Sequence, residues 1–190
     1  VYTGYQPVTL GAANQKFAKA WGVESLSTQI GLTIPEMFER IDQDELNALW
    51  IMGENPVVSD PDADHVKKAL KAVDLLIVQD IFLTPTAQLA DVVLPGASFA
   101  EKDGTFVNTE RRVTRVRKAI EPLGEARADW EIITDVSNRF GYTMDYENPE
   151  AVFNEIASLT PSYAGITYER LEGDGIQWPC PSEGHPGTPY

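Results

Sequence analysis

The sequence predicts an α/β fold: an αβα sandwich with a mostly parallel sheet, followed by extra helices and an irregular tail. Two observations carry this. Short apolar runs closed by a turn or a polar residue occur at Ala48–Met52, Asp74–Asp80 and Leu89–Gly96, and continuous runs of that length read as strands buried on both faces. A helical segment, "DPDADHVKKALKAV", separates the first two runs, and a short helical stretch separates the second and third. Strand–helix–strand order of this kind calls for right-handed crossovers and parallel pairing.

The elements follow in order. Val1 to Leu10 is extended, with Gly4 and Pro7 as breakers. "GAANQKFAKAWG" reads as a helix with Phe17, Ala20 and Trp21 on one face and Gly22 as its stop. "LTIPEMFERIDQDEL" is a second helix: Thr33 can cap it, Pro35 suits the first turn, and Met37, Phe38 and Ile41 form a stripe. The helix after the first strand begins acidic and ends basic, which suits the macrodipole. From Glu101, "EKDGTFVNTERRVTRV" mixes β-formers with charge and reads as an irregular hairpin turning at Asp103–Gly104. "ARADWEIITDVSNRFG" is an amphipathic helix with Trp130, Ile133, Val136 and Phe140 at helical spacing. "NPEAVFNEIASL" is the last helix, with Asn148 as cap and Pro149 in the first position. The tail from Pro161 is rich in Gly and Pro and reads as irregular.

Composition removes several functions. The chain has 190 residues, 43% of them apolar, and a formal charge of -14. That balance argues against a nucleic-acid partner, whose phosphates need Lys and Arg, and against contact with an anionic membrane. Cys180 is the only cysteine, so no internal disulfide and no cysteine-rich metal or iron–sulfur site can form. His65 and His185 share no metal-binding spacing. No apolar run reaches the roughly 18 residues of a membrane helix, and no signal-peptide pattern opens the chain. The chain starts at Val1 and is expected to be an internal piece of a longer protein.

Ligands of open parallel sheets sit beyond the carboxyl ends of the strands, so the residues just after each run matter most. They are "GENP" after the first, "QDIFLT" after the second and "PGASFAEKDG" after the third. Gly53 permits close backbone approach. Asn55 offers a donor and an acceptor. Asp80 ends a buried run as an acceptor-only carboxylate, for which a guanine edge would supply two donors. Lys102 and the Arg111–Arg112 pair suit phosphates. Each residue also has a plain structural reading: a turn, a helix cap or a solvated strand face. Motifs of stand-alone dehydrogenases, ATPases and nucleophilic hydrolases are missing. The residues read as a ligand-holding half of something, with no catalytic constellation.

Four segments, "GYQPV", "WIMGENPVVSDPD", "LLIVQDIFLTPTAQLADVVLPGASFAEKDGTFVNTERRV" and "GEARADWEII", resemble the large subunit of molybdopterin-dependent oxidoreductases of the dimethyl-sulfoxide-reductase type. The tail "YAGITYERLEGDGIQWPCPSEGHPGTPY" is similar to the formate dehydrogenase branch. The resemblance implies a catalytic subunit that holds molybdenum or tungsten between molybdopterin guanine dinucleotides, with a 4Fe-4S cluster and a metal ligand in segments outside this chain. It implies formate as substrate of the whole enzyme, electron-transfer subunits as partners and no membrane contact by this region. The cytoplasm is the expected location, with the periplasm as alternative. Residues 1–122 would hold the dinucleotide, and 123–190 would form a helical extension and tail. Residue by residue, the resemblance points to Asn55, Gln79, Asp80, Thr84, Lys102, Asn108, Arg112 and Asp129 as cofactor-binding, with no catalytic or metal-ligating residue. The alternatives are a nitrate-type reductase and a structural domain of the respiratory NADH dehydrogenase type. Arg111 stands where many relatives have Gly, so a left-handed turn there would be strained.

Overall fold

The computed structural model describes residues 1–189. In chain order the elements are α1 (Gly11–Ala20), α2 (Ile34–Asp42), β1 (Ala48–Met52), α3 (Pro56–Ser59), α4 (Ala63–Leu70), β2 (Leu75–Asp80), β3 (Val92–Pro95), β4 (Gly104–Val107), β5 (Arg112–Val116), α5 (Asp129–Arg139), α6 (Pro149–Leu159) and β6 (Ile176–Gln177), with short 3₁₀ turns between them. They form two compact units. The sheet unit comprises Leu32–Lys102 and Ala119–Tyr142; the hairpin unit comprises Val1–Gly31, Asp103–Lys118 and the chain from Thr143 onward.

In the sheet unit the strands run parallel in the order β1-β2-β3, with Ile51 beside Val78 and Val78 beside Val93. Alternation along β2 sends Leu76 and Val78 to one face and Gln79 to the other. Leu76 and Val78 pack with Phe38 and Ile41 of α2, Val57 of α3, and Val66, Ala69 and Leu70 of α4. Burying each large aliphatic side chain there contributes about 1.5–3 kcal/mol. The helices start where local chemistry dictates. The Glu36 carboxylate accepts from the Thr33 amide at 2.7 Å, and the Asp62 carboxylate accepts from the His65 amide at 3.0 Å.

The α/β class and the parallel sheet match the sequence reading. Burial on both faces holds only for the middle strand. Leu76 is 1% exposed, whereas Val92 and Val93 of β3 are 42% and 40% exposed, because β1 and β3 are the outer strands. The α5 stripe also differs: Ile132 is buried, whereas Ile133 is 37% and Phe140 88% exposed. In α1 the buried face is Ala13, Asn14, Phe17 and Ala18 rather than one containing Ala20.

In the hairpin unit β4 and β5 pair antiparallel, and β6 adds to β5. Val113 packs with Phe153, Ala157, Ile166, Tyr168, Leu171, Ile176 and Cys180. The turn is not at Asp103–Gly104. Gly104 already pairs with Val116, and the chain reverses through Thr109–Arg111. The Asn108 carbonyl oxygen of the side chain accepts from the Glu110 and Arg112 amides, each at 3.0 Å. The Arg111 amide donates to the Asn108 main-chain carbonyl at 2.9 Å. Arg111 itself has φ 65°, the left-handed residue that closes a three-residue hairpin loop.

A non-Gly residue there costs about 1–2 kcal/mol. The side chain offsets part of that cost: its guanidinium lies 5.5 Å from the Trp178 ring centre and donates to the Thr188 carbonyl at 3.2 Å. Such a cation–π contact contributes about 0.5–1 kcal/mol. We therefore expect Arg111→Gly to leave stability within about 0.5 kcal/mol of wild type. Arg111→Ala, which keeps the strain and loses the contacts, should cost about 1–2 kcal/mol. Urea titration of the two variants checks the order, and an alanine variant as stable as the glycine variant would refute it.

Candidate nucleotide-holding site

The carboxyl ends of β1, β2 and β3 lie side by side because the strands are parallel and in register. The Gly53 amide donates to the Gln79 carbonyl at 2.8 Å, and the Gly96 amide to the Asp80 carbonyl at 3.0 Å. Gly53 has φ 65°, and a Cβ built on it meets nothing within 4 Å. The end of β1 therefore borders open space, in a conformation that suits glycine. Gly96 is different: a Cβ there would lie 3.3 Å from the Asp129 carboxylate and 3.7 Å from the Asp80 carbonyl.

Gly96 forms a parallel bridge with Arg127. The Arg127 amide donates to Pro95 at 3.1 Å, and the Ala97 amide to Arg127 at 2.7 Å. This bridge delivers Asp129, the first residue of α5, onto the end of the sheet. There Gln79 Nε2 donates to Asp129 Oδ1 at 2.8 Å, and Lys102 Nζ to Asp129 Oδ2 at 2.6 Å. Asp129 only accepts, which fixes the Gln79 amide with its nitrogen toward the carboxylate. Gln79 is 1% exposed, and its Oε1 is buried with no partner. Trp50 Nε1, Arg115 Nε, Tyr168 OH and Trp178 Nε1 are buried without a protein partner in the same way, and an ordered water satisfies such groups as well as a ligand does.

Asp80, half-buried at the end of β2, uses Oδ1 to accept from the Phe82 amide at 3.2 Å. Asn55 uses its carbonyl oxygen on Thr86, accepting from the hydroxyl at 2.7 Å and the amide at 3.3 Å. The Thr86 hydroxyl in turn accepts from the Val57 amide at 3.2 Å. Asn55 thus ties the loop after β1 to the loop after β2. The Thr84 hydroxyl caps the following 3₁₀ turn by accepting from Ala87 at 3.1 Å. Lys102 is anchored through its neighbour. The Glu101 carboxylate accepts from the Ser98 amide at 2.7 Å and from Leu123 at 2.9 Å. Those bonds, that to the Ser98 backbone foremost, hold its carboxyl below the ordinary range.

The structure therefore brings Asn55, Gln79, Asp80, Thr84, Lys102 and Asp129 into the sheet unit, with Gln79, Lys102 and Asp129 in one hydrogen-bonded cluster. Asn108 and Arg112 belong to the hairpin unit. Asn108 builds the reversal described above. The Arg112 guanidinium donates to Gln177 Oε1 at 3.2 Å and to the Asp174 carbonyl at 3.3 Å. Residues not singled out in the sequence also shape the site: Gly96, Thr86 and Glu101. The S-x-x-E spacing of Ser98 and Glu101 was a readable capping signal. Among the described residues no group of three or more His, Cys, Asp or Glu is arranged to hold a metal ion, and no helix is long and apolar enough to cross a membrane.

The molybdopterin oxidoreductase family model matches residues 3–139, most of the chain and all of the strand ends just described. The chain belongs to the molybdopterin oxidoreductase family. Membership implies a molybdopterin cofactor. The chain is 55% identical over 99% of its length to the F420-dependent formate dehydrogenase subunit alpha of Methanocaldococcus jannaschii. It is 52% identical over 100% of its length to the F420-dependent formate dehydrogenase 1 subunit alpha of Methanococcus maripaludis, and 44% identical over 100% to formate dehydrogenase H of Escherichia coli. It spans only 28%, 28% and 27% of those relatives. Among solved structures, acetylene hydratase from Pelobacter acetylenicus superposes with a TM-score of 0.63 at 22% identity, covering 94% of this chain and 25% of that one. At that identity the likeness concerns the fold.

Proposed function

We propose that this chain is part of the catalytic subunit of a formate dehydrogenase, and that its sheet unit holds a guanine dinucleotide arm of the molybdopterin cofactor. The observation that carries the reading is the half-buried Asp80 carboxylate at the carboxyl end of the middle strand, held in place by the Phe82 amide on Oδ1. Asp80, an acceptor-only carboxylate at that strand end, suits a guanine edge, which offers a ring N–H and an amino group. The open space at Gly53 leaves room for a ligand at the same edge. The residues present thus fit the group. The relatives' names support formate over nitrate as the substrate of the whole enzyme.

When bound, the cofactor's molybdenum or tungsten supplies the two-electron chemistry that takes formate to carbon dioxide and a proton. The residues of this chain bind and orient. Asp80 accepts from the base, and Gln79 holds the Asp129 carboxylate that positions Lys102. Lys102 gives one of its three N–H donors to Asp129 and keeps two for a phosphate. Asn55 and Thr84 hold the loops that flank the base, and Asn108 and Arg112 shape the hairpin. The 4Fe-4S cluster and the electron-transfer subunits belong to the rest of a cytoplasmic enzyme.

Hydrogen bonds to a charged group contribute about 1.5–3 kcal/mol each. Asp80→Ala in the full-length enzyme should therefore reduce retention of the dinucleotide by roughly 10-fold or more. Retention is measured as GMP released by acid hydrolysis per mole of purified protein. Wild-type GMP content in that variant would overturn the reading.

A further inference from the structure

Asp80 is followed by Ile81, Phe82 and Leu83, which are 50%, 72% and 65% exposed. Single exposed apolar residues are ordinary, but three in succession at the mouth of a polar site call for an occupant. The loop is held in place despite its exposure. Asp80 Oδ1 accepts from the Phe82 amide at 3.2 Å, and the Phe82 carbonyl accepts from the Thr84 amide at 2.9 Å. Both main-chain groups of Phe82 are therefore engaged, one of them by the carboxylate itself. Phe82 is the only aromatic side chain of the three.

We infer that Phe82 is a stacking platform for the purine whose edge Asp80 reads, a step that rests on the nucleotide reading above. A carboxylate open to water discriminates poorly, because water competes for the same donors. Covering one face of the base excludes that water and strengthens the edge bonds. A base offers a π-face as well as an edge, and the turn that ties the Phe82 amide to the Asp80 carboxylate keeps the aromatic residue next to the group that reads the edge. Any purine stacks on such a ring, so Phe82 contributes affinity while Asp80 contributes the preference for guanine.

The test uses the full-length holoenzyme and follows the rate at which its guanine-containing cofactor is lost on dilution, read as GMP in the retained fraction. Base–aromatic stacking predicts roughly 10-fold faster loss for Phe82→Ala. Phe82→Tyr and Phe82→Trp should stay near wild type, and Phe82→Leu should fall close to alanine. Ile81→Ser and Leu83→Ser should change little. Leucine as good as phenylalanine, or serine at 81 and 83 as harmful as alanine at 82, would show that a protein surface covers the loop, and the inference fails. Asp80→Ala in parallel separates the two ideas. If it speeds loss while the Phe82 series is flat, only the stacking role is wrong; if it changes nothing, the nucleotide reading falls with it.

Discussion

Gly165→Ala should destabilise the hairpin unit by about 3 kcal/mol or more, at or beyond the upper end of ordinary overpacking. A Cβ on Gly165 would overlap the Ser182 main-chain carbonyl and sit 2.8 Å from Ser182 Cα. The obstacle is backbone, so no rotamer change relieves it. Nor can the two segments separate cheaply. The Gly165 amide donates to the Cys180 carbonyl at 2.8 Å, and the Cys180 amide to Ser162 at 2.7 Å. Ile166 and Cys180, on either side of this crossing, are 1% and 0% exposed. Moving either segment would open the cluster around Val113 and Leu171. Gly184 provides the control: nothing lies within 4 Å of its would-be Cβ, so Gly184→Ala should stay within about 0.5 kcal/mol of wild type. Amide hydrogen exchange across α6 and the tail in urea measures both. A Gly165→Ala protein within about 1 kcal/mol of wild type would refute the steric argument.

Much of the sheet unit was legible because its signals are local. "ALWIM" and "LLIVQ" are continuous apolar runs, and the helix between them carries its own cap and charge asymmetry. The strand-end rule then pointed to Gln79 and Asp80 without any contact being known. Arg111 was legible as a possible strained position, and it is left-handed. What failed depends on distant chain. The Asp103–Gly104 pair looks like a turn locally, but Gly104 is drawn into pairing with Val116, and the Asn108 side chain makes the reversal instead. The stripe on α5 is periodic, yet Phe140 stays 88% exposed, because periodicity says which face is apolar and not what covers it. Asp129 reaches Gln79 only through the Gly96–Arg127 bridge, a long-range pairing that no window of sequence contains. Asn55 and Thr84 each engage loop residues through a side-chain oxygen, pairings that depend on the fold and that residue type alone does not reveal.

Asp129 and Gln79 are expected to respond in opposite ways, although they share one hydrogen bond. Asp129→Ala leaves Gln79, 1% exposed, with both ends of its amide unpaired, at a cost of about 1–3 kcal/mol. Lys102 loses its partner too, but its side chain is 22% exposed, so water restores part of that bond. A net loss of about 2–3 kcal/mol follows. Gln79→Met is the converse. It fills the same volume with apolar atoms and removes an acceptor that is already unsatisfied. Asp129 keeps Lys102, and its side chain is 40% exposed, so it can rehydrate the freed oxygen. Stability should then stay within about 1 kcal/mol of wild type or rise. The same variant should hold the guanine dinucleotide less tightly, since the Asp129 carboxylate that positions Lys102 loses its anchor on β2. Unfolding by urea and GMP content, measured on both variants of the full-length enzyme, separate the two roles. A Gln79→Met protein that is destabilised as much as Asp129→Ala, or that keeps its full nucleotide content, would show Gln79 to be scaffold. The expected pattern is a residue that the fold would sooner replace and that binding retains.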